Sequence, residues 1–342
     1  MSKRAAIIGF GSMGQRHLAA YRRAGIDVVA IADTSPGQLE QAKAQAGSAR
    51  LYHDASELLR AEQDHLDVVS VVTNGPSHAT VTIEAARARV PNILCEKPIA
   101  TNLRDAQQMI DVCQQYGSRL AINHIRRWSR NHLELKRRLE AGLIGPLRHI
   151  YYQSGSTGLG NMGTVFFDTM RFYADSEVAW VVGFIDRTGT PSVRGTQFVD
   201  PAGYGLLQFQ NGIRGFLDTS EDTGVRYLLH LVGVYGRVIV DELNNSWIVE
   251  ARPEAERQKP LTLYVAPMER VPFDLDEAWD VVALTSQAQS TLVSGGPTTC
   301  DGEAGLKALE IALAFHASDR RNHQQVALPL VDGTTTLDIP FA

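Results

Sequence analysis

The sequence predicts an α/β protein in two parts: a parallel sheet wrapped by helices over residues 1–122, then an α+β half over residues 123–342 on a large, mostly antiparallel open sheet. Three observations predict this. Short apolar runs alternate with helical periodicity through the first 120 residues. Those runs are apolar on both faces, as strands of a parallel sheet covered on both sides must be, with right-handed crossovers between them. After residue 124 the pattern becomes a series of strand-like runs separated by hairpin signals.

In chain order, Ala5–Gly9, Val28–Asp33, Val68–Thr73, Ile93–Glu96 and Leu120–Asn123 read as the strands of the first sheet. The helical stretches Gln15–Ala24, Ser35–Ala46, His78–Arg89 and Leu103–Tyr116 lie between them. An arginine-rich helix from Ser129 to Ala141 opens the second half. Arg148–Ser156, Val178–Thr188, Tyr204–Gln210, Gly212–Thr219, Tyr227–Tyr235 and Arg237–Glu242 follow as strands, with Gln210-Asn211-Gly212 and Tyr235-Gly236 as turns. Asp276–Val293 and Asp301–Asp319 read as closing helices.

The 342 residues carry 33 Lys+Arg against 38 Asp+Glu, a net charge of −5 that argues against a nucleic-acid partner, which would show a basic stripe. Three cysteines, Cys95, Cys113 and Cys300, match no zinc-ligand spacing and fit a reducing cytoplasm, so no metal is expected. Apolar stretches such as Ala179–Ile185 are far shorter than the roughly 18 residues of a membrane helix, and the run Ala5–Ile8 is too short for a signal-peptide core. The expectation is a soluble cytoplasmic protein without a membrane or nucleic-acid partner.

Gly9-Phe10-Gly11-Ser12-Met13-Gly14 is a G-x-G-x-x-G placed between a predicted strand and a predicted helix. In that context Gly9 makes the turn, Gly11 lets a pyrophosphate approach the backbone, and Gly14 lets helix and strand pack closely. The helix start then offers unpaired N–H groups and a positive dipole end to the phosphates. Asp33 ends the second strand, 19 residues past Gly14, where a carboxylate meets the adenosine ribose hydroxyls and repels a 2′-phosphate. This favours NAD over NADP, although the neighbouring Thr34 and Ser35 bear no repelling charge. The plainer reading of Asp33 is a cap for the helix that follows.

The fourth strand ends in Cys95-Glu96-Lys97-Pro98, beyond the carboxyl end of the sheet, where ligands of open α/β sheets gather. A lysine there can polarise a hydroxyl or carbonyl oxygen and act as an acid or base. The plainer reading is a surface lysine paired with Glu96.

Together, Gly9–Gly14 with His17, Thr73-Asn74-Gly75-Pro76-Ser77-His78, Glu96-Lys97-Pro98, Asn123 with Arg126 and Arg127, Ala141-Gly142-Leu143-Ile144-Gly145-Pro146, and a last helix before Val326-Ala327-Leu328-Pro329 resemble the Gfo/Idh/MocA oxidoreductases over nearly the whole chain. The resemblance implies a Rossmann NAD-binding domain followed by a substrate and oligomerisation domain. It implies a homodimer or homotetramer formed through the C-terminal sheet. It also implies hydride transfer between nicotinamide and a carbinol carbon of a sugar, polyol or cyclitol. Lys97 matches the catalytic lysine, and Thr73, Asn74, Pro76, His78 and Glu96 match positions around the cofactor.

One motif departs from the family. Where Asp-x-x-x-His-x-x-Asp is usual, this chain reads Asn161-Met162-Gly163-Thr164-Val165-Phe166-Phe167-Asp168. Val165 cannot move a proton and Asn161 is no base at neutral pH. On a helix 161, 165 and 168 would share a face. Either Lys97 is the sole acid–base group, or a substitute serves (His124 first, then Tyr151, Tyr152, Asp168 or His230), or net redox turnover is absent. The last case covers a redox-neutral lyase, glycosidase or epimerase with retained NAD, and a non-catalytic dinucleotide or sugar sensor. The plainer reading of His230 is a core histidine, and of Asp168 a partner for Arg171. The expected substrate contacts are Lys97, Asn123, Arg126, Asn161 and Val165, with Lys97, His124 and Asp168 as catalytic candidates. Arg126, Arg127 and Arg130 read as one site arginine among a solvated helix face.

Overall fold

The computed structural model describes residues 2–189, 195–263, 267–331 and 337–341. Its first half runs β1 (Arg4–Ile8), α1 (Ser12–Ala24), β2 (Asp27–Ala32), α2 (Pro36–Gln45), β3 (Arg50–Tyr52), α3 (Ala55–Glu62), β4 (Val68–Val71), α4 (Gly75–Arg87), β5 (Asn92–Cys95), α5 (Leu103–Tyr116) and β6 (Arg119–Ile122). The six strands are all parallel, in the order β3-β2-β1-β4-β5-β6. The connections run one way from β1 to β2 and the other way out to β4. The crevice beyond the carboxyl ends of β1 and β4 is therefore the topological switch point, where such sheets bind ligands. Ala5–Ile8 and Val68–Val71 are buried throughout, which is why these strands read as unbroken apolar runs. The short β3 and the eight-residue α3 are not among the elements expected from the sequence. They are held by Glu62, which takes Arg50 and the Tyr52 hydroxyl, the latter at 2.6 Å.

The second half runs α6 (Arg130–Glu140), β7 (Leu147–Gln153), α7 (Thr164–Ala174), β8 (Val178–Ile185), β9 (Gly203–Phe209), β10 (Arg214–Asp218), β11 (Leu228–Gly233), β12 (Gly236–Asp241), β13 (Ser246–Ala251), β14 (Glu269–Val271), α8 (Val281–Val293), α9 (Gly302–Arg320) and β15 (Val326–Ala327). Among the described residues nine strands form one open sheet, β14-β13-β12-β11-β7-β10-β9-β8-β15. Every pairing is antiparallel except β7 with β10. The inner face packs on α7 and α9. Tyr152 stacks on Phe166 with ring centroids 4.2 Å apart, and Phe315 lies on Gly183, where a Cβ would come within 2.7 Å of it. On the outer face the register lines up Val182, Leu206, Phe216, Tyr151, His230, Ile239 and Ile248 across seven strands.

The chain does not stay in its second half. Ala288 and Leu292 of α8 pack into the same core as Ile7, Leu18 and Tyr21. Asp301 caps α9 by accepting from the Ala304 N–H, and it bridges to Ala121 of β6. Gly302 and Gly305 then let α9 lie on Leu120 and Ile122.

Candidate active site

The phosphate-binding turn is built by exclusion. Gly9 has φ +97°, and a Cβ there would sit 2.5 Å from the Val72 carbonyl oxygen of the neighbouring strand end. A Cβ at Gly14 would lie 2.2 Å from the Gly9 carbonyl oxygen, so α1 can start this close to β1 only with glycine. At Gly11 the Cβ position has no atom within 4 Å. Gly11 is also the N-cap of α1, and its first turn has no side-chain cap among the described residues. Open space therefore faces the donor end of a helix, which fits the pyrophosphate of a dinucleotide. The Asp33 carboxylate closes the loop by accepting from the Phe10 N–H at 2.6 Å and the Ser35 N–H at 2.8 Å. Its place at the end of β2 thus serves the turn itself and sets it beside the cradle; the N-cap of α2 is Ser35, so Asp33 is not that helix's cap.

Gly11→Ala is expected to fold with an unchanged melting temperature, because the added methyl meets nothing. NADH affinity is expected to drop at least about tenfold, roughly 1.4 kcal/mol, because the methyl fills the cradle. Fluorescence titration with NADH beside a thermal melt checks this; a loss of stability with intact binding would contradict it.

Lys97 leaves the sheet on a loop fixed from below. Glu96 is buried, and its Oε1 takes His17 Nε2 at 3.0 Å and the Asn123 side-chain N–H at 2.7 Å. His17 Nδ1 meets the Ser70 hydroxyl at 2.9 Å, which meets the Tyr21 hydroxyl at 2.7 Å. Asn123 also reaches the Thr285 hydroxyl on α8 at 3.3 Å. Burial opposes ionisation of Glu96, but the His17 bond and charge, the Lys97 charge and the Asn123 amide outweigh it and hold the carboxyl at about 2. The Lys97–Pro98 peptide is cis. His78 ties this loop to the end of β4, with Nδ1 2.7 Å from the Pro98 carbonyl oxygen and Nε2 3.1 Å from that of Thr73. Burial pushes its pKa down against the pull of those two carbonyls.

Lys97 points across to the second half. Its Nζ donates to the Asn161 carbonyl oxygen at 3.0 Å and, at closer range, to Oδ1 of the same residue. Asn161 sits in a π-turn, Leu159–Gly163, whose Gly163 N–H reaches back five residues to the Gly158 carbonyl at 2.9 Å. Only then does α7 begin, so Asn161 lies in the wider turn that precedes the helix carrying Val165 and Asp168. Val165 is buried, at 4% exposure.

Several expected site residues are engaged elsewhere. Glu96 and Asn123 pair with one another beneath the loop, so they support Lys97 where cofactor and substrate contacts were expected of them. Arg126, expected at the substrate, is buried: its guanidinium takes both Glu242 carboxylate oxygens and lies 5.0–5.7 Å from the ring centres of Tyr152, Phe166, Tyr227 and Trp279. A buried guanidinium without a carboxylate would be strongly unfavourable, and Glu242 meets that need. His132 completes the group with Nε2 2.8 Å from Glu242.

His124 and Asp168, the candidate replacements for the missing imidazole, do meet. His124 Nδ1 lies 3.4 Å from Asp168 Oδ2 and 3.6 Å from the Cys300 thiol. Their cluster is a charge-balancing one. Arg127 binds Asp168 through both oxygens at 2.8 and 2.9 Å, and Arg171 adds a contact at 3.4 Å. Burial works against the Asp168 carboxylate, and Arg127 with His124 holds it well below the usual range. His124, Asp168 and Cys300 could in geometry hold a cation, but two guanidiniums already occupy the one carboxylate. Tyr152 is wholly buried under Phe166, while Tyr151 and His230 lie on the outer sheet face. Ser12 and Met13 open α1 and Pro76 lies in the first turn of α4, Thr34, Thr73 and Asn74 lie on the loops after β2 and β4, and Phe10 is buried in the core beneath the glycine turn. Sequence reading missed Ser70, Thr285 and Asp200, which belong to none of the motifs and meet the site residues only through the fold.

Residues 3–124 match the profile of an oxidoreductase family with an NAD-binding Rossmann fold, Gfo/Idh/MocA. Among curated relatives, a D-apiose dehydrogenase of Paraburkholderia graminis is 38% identical over 141 residues, 41% of this chain and 37% of that protein. The myo-inositol 2-dehydrogenase of Thermotoga maritima is 25% identical over 333 residues, 92% of this chain and 96% of that protein. A levoglucosan dehydrogenase solved with NADH superposes with TM-score 0.82 at 17% identity, covering 97% of this chain and 100% of that one. An oxidoreductase of Agrobacterium radiobacter solved with NAD+, L-tartaric acid and magnesium gives 0.78 at 23% identity, covering 96% and 98%. The latter two establish a shared fold. With the sheet order and the glycine turn of a dinucleotide-binding fold, residues 3–124 carry the NAD-binding Rossmann domain that the Gfo/Idh/MocA oxidoreductase profile describes.

Proposed function

We propose that this oxidoreductase is an NAD-dependent dehydrogenase of a secondary alcohol in a sugar, polyol or inositol. The observation that carries the reading is the Lys97 ammonium, which leaves the Rossmann loop beyond the sheet and meets Asn161 of the other half. Nicotinamide, when bound, supplies the hydride acceptor. Lys97 holds the reacting oxygen and takes up or releases its proton. The Asn161 amide, its Oδ1 on Lys97, keeps its N–H donors for a neighbouring substrate hydroxyl. Val165 has no proton to exchange, so Lys97 carries the acid–base work alone. Asp33 at the end of β2 supports NAD over NADP. The names of the relatives, an apiose and an inositol dehydrogenase, support the substrate class.

The test follows NADH formation at 340 nm with NAD+ or NADP+ and a panel of myo-inositol, scyllo-inositol, D-apiose and levoglucosan. Turnover of at least one with NAD+ is expected. The loss of imidazole at position 165 also favours a second reading, a redox-neutral enzyme that recycles its hydride on retained NAD. Mass spectrometry of nucleotide released by denaturation separates the two. About one NAD(H) per chain, with substrate consumed and no net NADH signal, selects the second.

The seven-strand row on the outer sheet face, with Tyr204 and Leu206 among its most exposed apolar side chains, supports a homodimer or homotetramer through that face. Light scattering is expected at two or four times the chain mass, and Leu206→Glu is expected to lower it.

A further inference from the structure

The turn that presents Asn161 is held from outside by two elements that no motif marks. Asp200 accepts from the Gly160 N–H at 2.7 Å and the Asn161 N–H at 2.9 Å. It lies where a side chain at Gly158 would be, 2.1 Å from that Cβ position. The last described segment, Leu337–Phe341, threads between the two halves. Its Ile339 N–H donates to the Thr101 carbonyl at 3.2 Å, just past the Lys97 loop, and its Pro340 carbonyl accepts from the Val199 N–H at 3.0 Å, beside Asp200. Phe341 ends it with no exposed surface. The Phe341 ring fills the space over Gly160, 2.0 Å from a Cβ there, and its carbonyl oxygen lies 2.8 Å from a Cβ at Gly75, the first residue of α4 in the cofactor loop. Two glycines in two halves are thus explained by one phenylalanine.

We propose that Phe341 and Asp200 are positioning residues for the reaction: together they fix the Gly158–Asn161 turn against the cofactor loop and so hold Asn161 on Lys97. Neither touches reacting atoms. The strap sets the distance between halves by filling it, and Asp200 sets the orientation of the turn by taking two consecutive N–H groups. Freed of them, the turn drifts and Lys97 loses its carbonyl and amide partners.

The first arm of the test needs no substrate. Lys97 in the full chain is labelled with limiting acetic anhydride across pH 7–10, and its rate is compared by peptide mass spectrometry with that of the exposed Lys259. In Phe341→Ala and in Asp200→Asn, Lys97 is expected to label at least about fivefold faster relative to Lys259, with Phe341→Leu recovering most of the difference. If both Phe341→Ala and Asp200→Asn fold and label Lys97 within about twofold of the parent, the proposal is wrong. Should Phe341→Ala not fold, the isosteric Asp200→Asn decides alone.

The second arm rests on the dehydrogenase reading. Both variants are expected to lower kcat about tenfold and shift its pH profile, with the KM for NAD unchanged within about twofold. A raised KM with unchanged kcat would overturn the proposal. If no alcohol reduces NAD+ with the parent protein, the dehydrogenase reading fails while the labelling result still judges the strap.

Discussion

Lys97→Ala is expected to lower kcat/KM by about 10²–10⁴, the range for removing a positioned acid–base group. NADH affinity should stay within about threefold and the melting temperature should be unchanged. The phosphate cradle is built from Gly9, Gly11 and Gly14 without Lys97, and the buried anchor of the loop is Glu96. Lys97→Arg is not expected to restore turnover. The site takes a compact ammonium between the Asn161 carbonyl and amide oxygens, and a planar guanidinium presents its donors in a different geometry. Asn161→Ala should cost less, because it removes one partner and leaves the ammonium. Stopped-flow detection of NADH in the first turnover checks this. A Lys97→Ala enzyme with near-normal turnover would assign the proton to another group, with His124 first to be tried.

Glu96→Ala is expected to be the most destabilising of the variants near the site, by about 3–5 kcal/mol, the usual loss when one partner of a buried ion pair is removed. His17, Asn123 and the Lys97 backbone N–H all lose their shared acceptor. Glu96→Gln isolates the charge. The folded carboxyl titrates at about 2, below its ordinary value of 4.5. A depressed carboxyl contributes its full stability above the unfolded value and loses it as pH falls toward the folded one. The difference in melting temperature between parent and Glu96→Gln should therefore be constant from pH 7 to about 5. It should shrink as pH falls from 4.5 towards 2. Asp168 and Glu242 are also held below their ordinary range, so the parent should weaken over that interval for more than one reason. Subtracting the two proteins leaves the part owed to Glu96. Scanning calorimetry at pH 7, 4 and 3 measures it, and a gap that does not narrow would remove Glu96 from the account.

The first half was legible because its physics is local. An apolar run, a glycine turn and a capped helix each act within about 20 residues. The helix Leu103–Tyr116 matches its expected limits, with Asn102 as N-cap and Gly117 at φ +76° as its end. What stayed hidden depends on partners far along the chain. Arg126 looked like a site arginine because Glu242, 116 residues away, cannot be seen beside it in one dimension. Asn123 looked like a substrate contact for the same reason, since His17, Glu96 and Thr285 are its neighbours only after folding. The π-turn at Leu159–Gly163 has no signature beyond its glycines, yet it is the element that carries Asn161 to Lys97. The strands β14 and β15, three and two residues long, lie at the two edges of the sheet, where pairing rather than periodicity defines them.

The return of α8 to the first half has a consequence for biosynthesis. The β1–α1 layer stays incomplete on one side until Ala288 and Leu292 arrive. At about 5–20 residues per second, roughly ten to thirty seconds of translation separate the end of β6 from the end of α8. Through that interval the face of α1 that α8 covers lies open to whatever is near the ribosome exit. A chain arrested between the two should be held by chaperones and cut readily by protease, and it should become resistant only when synthesis passes α8.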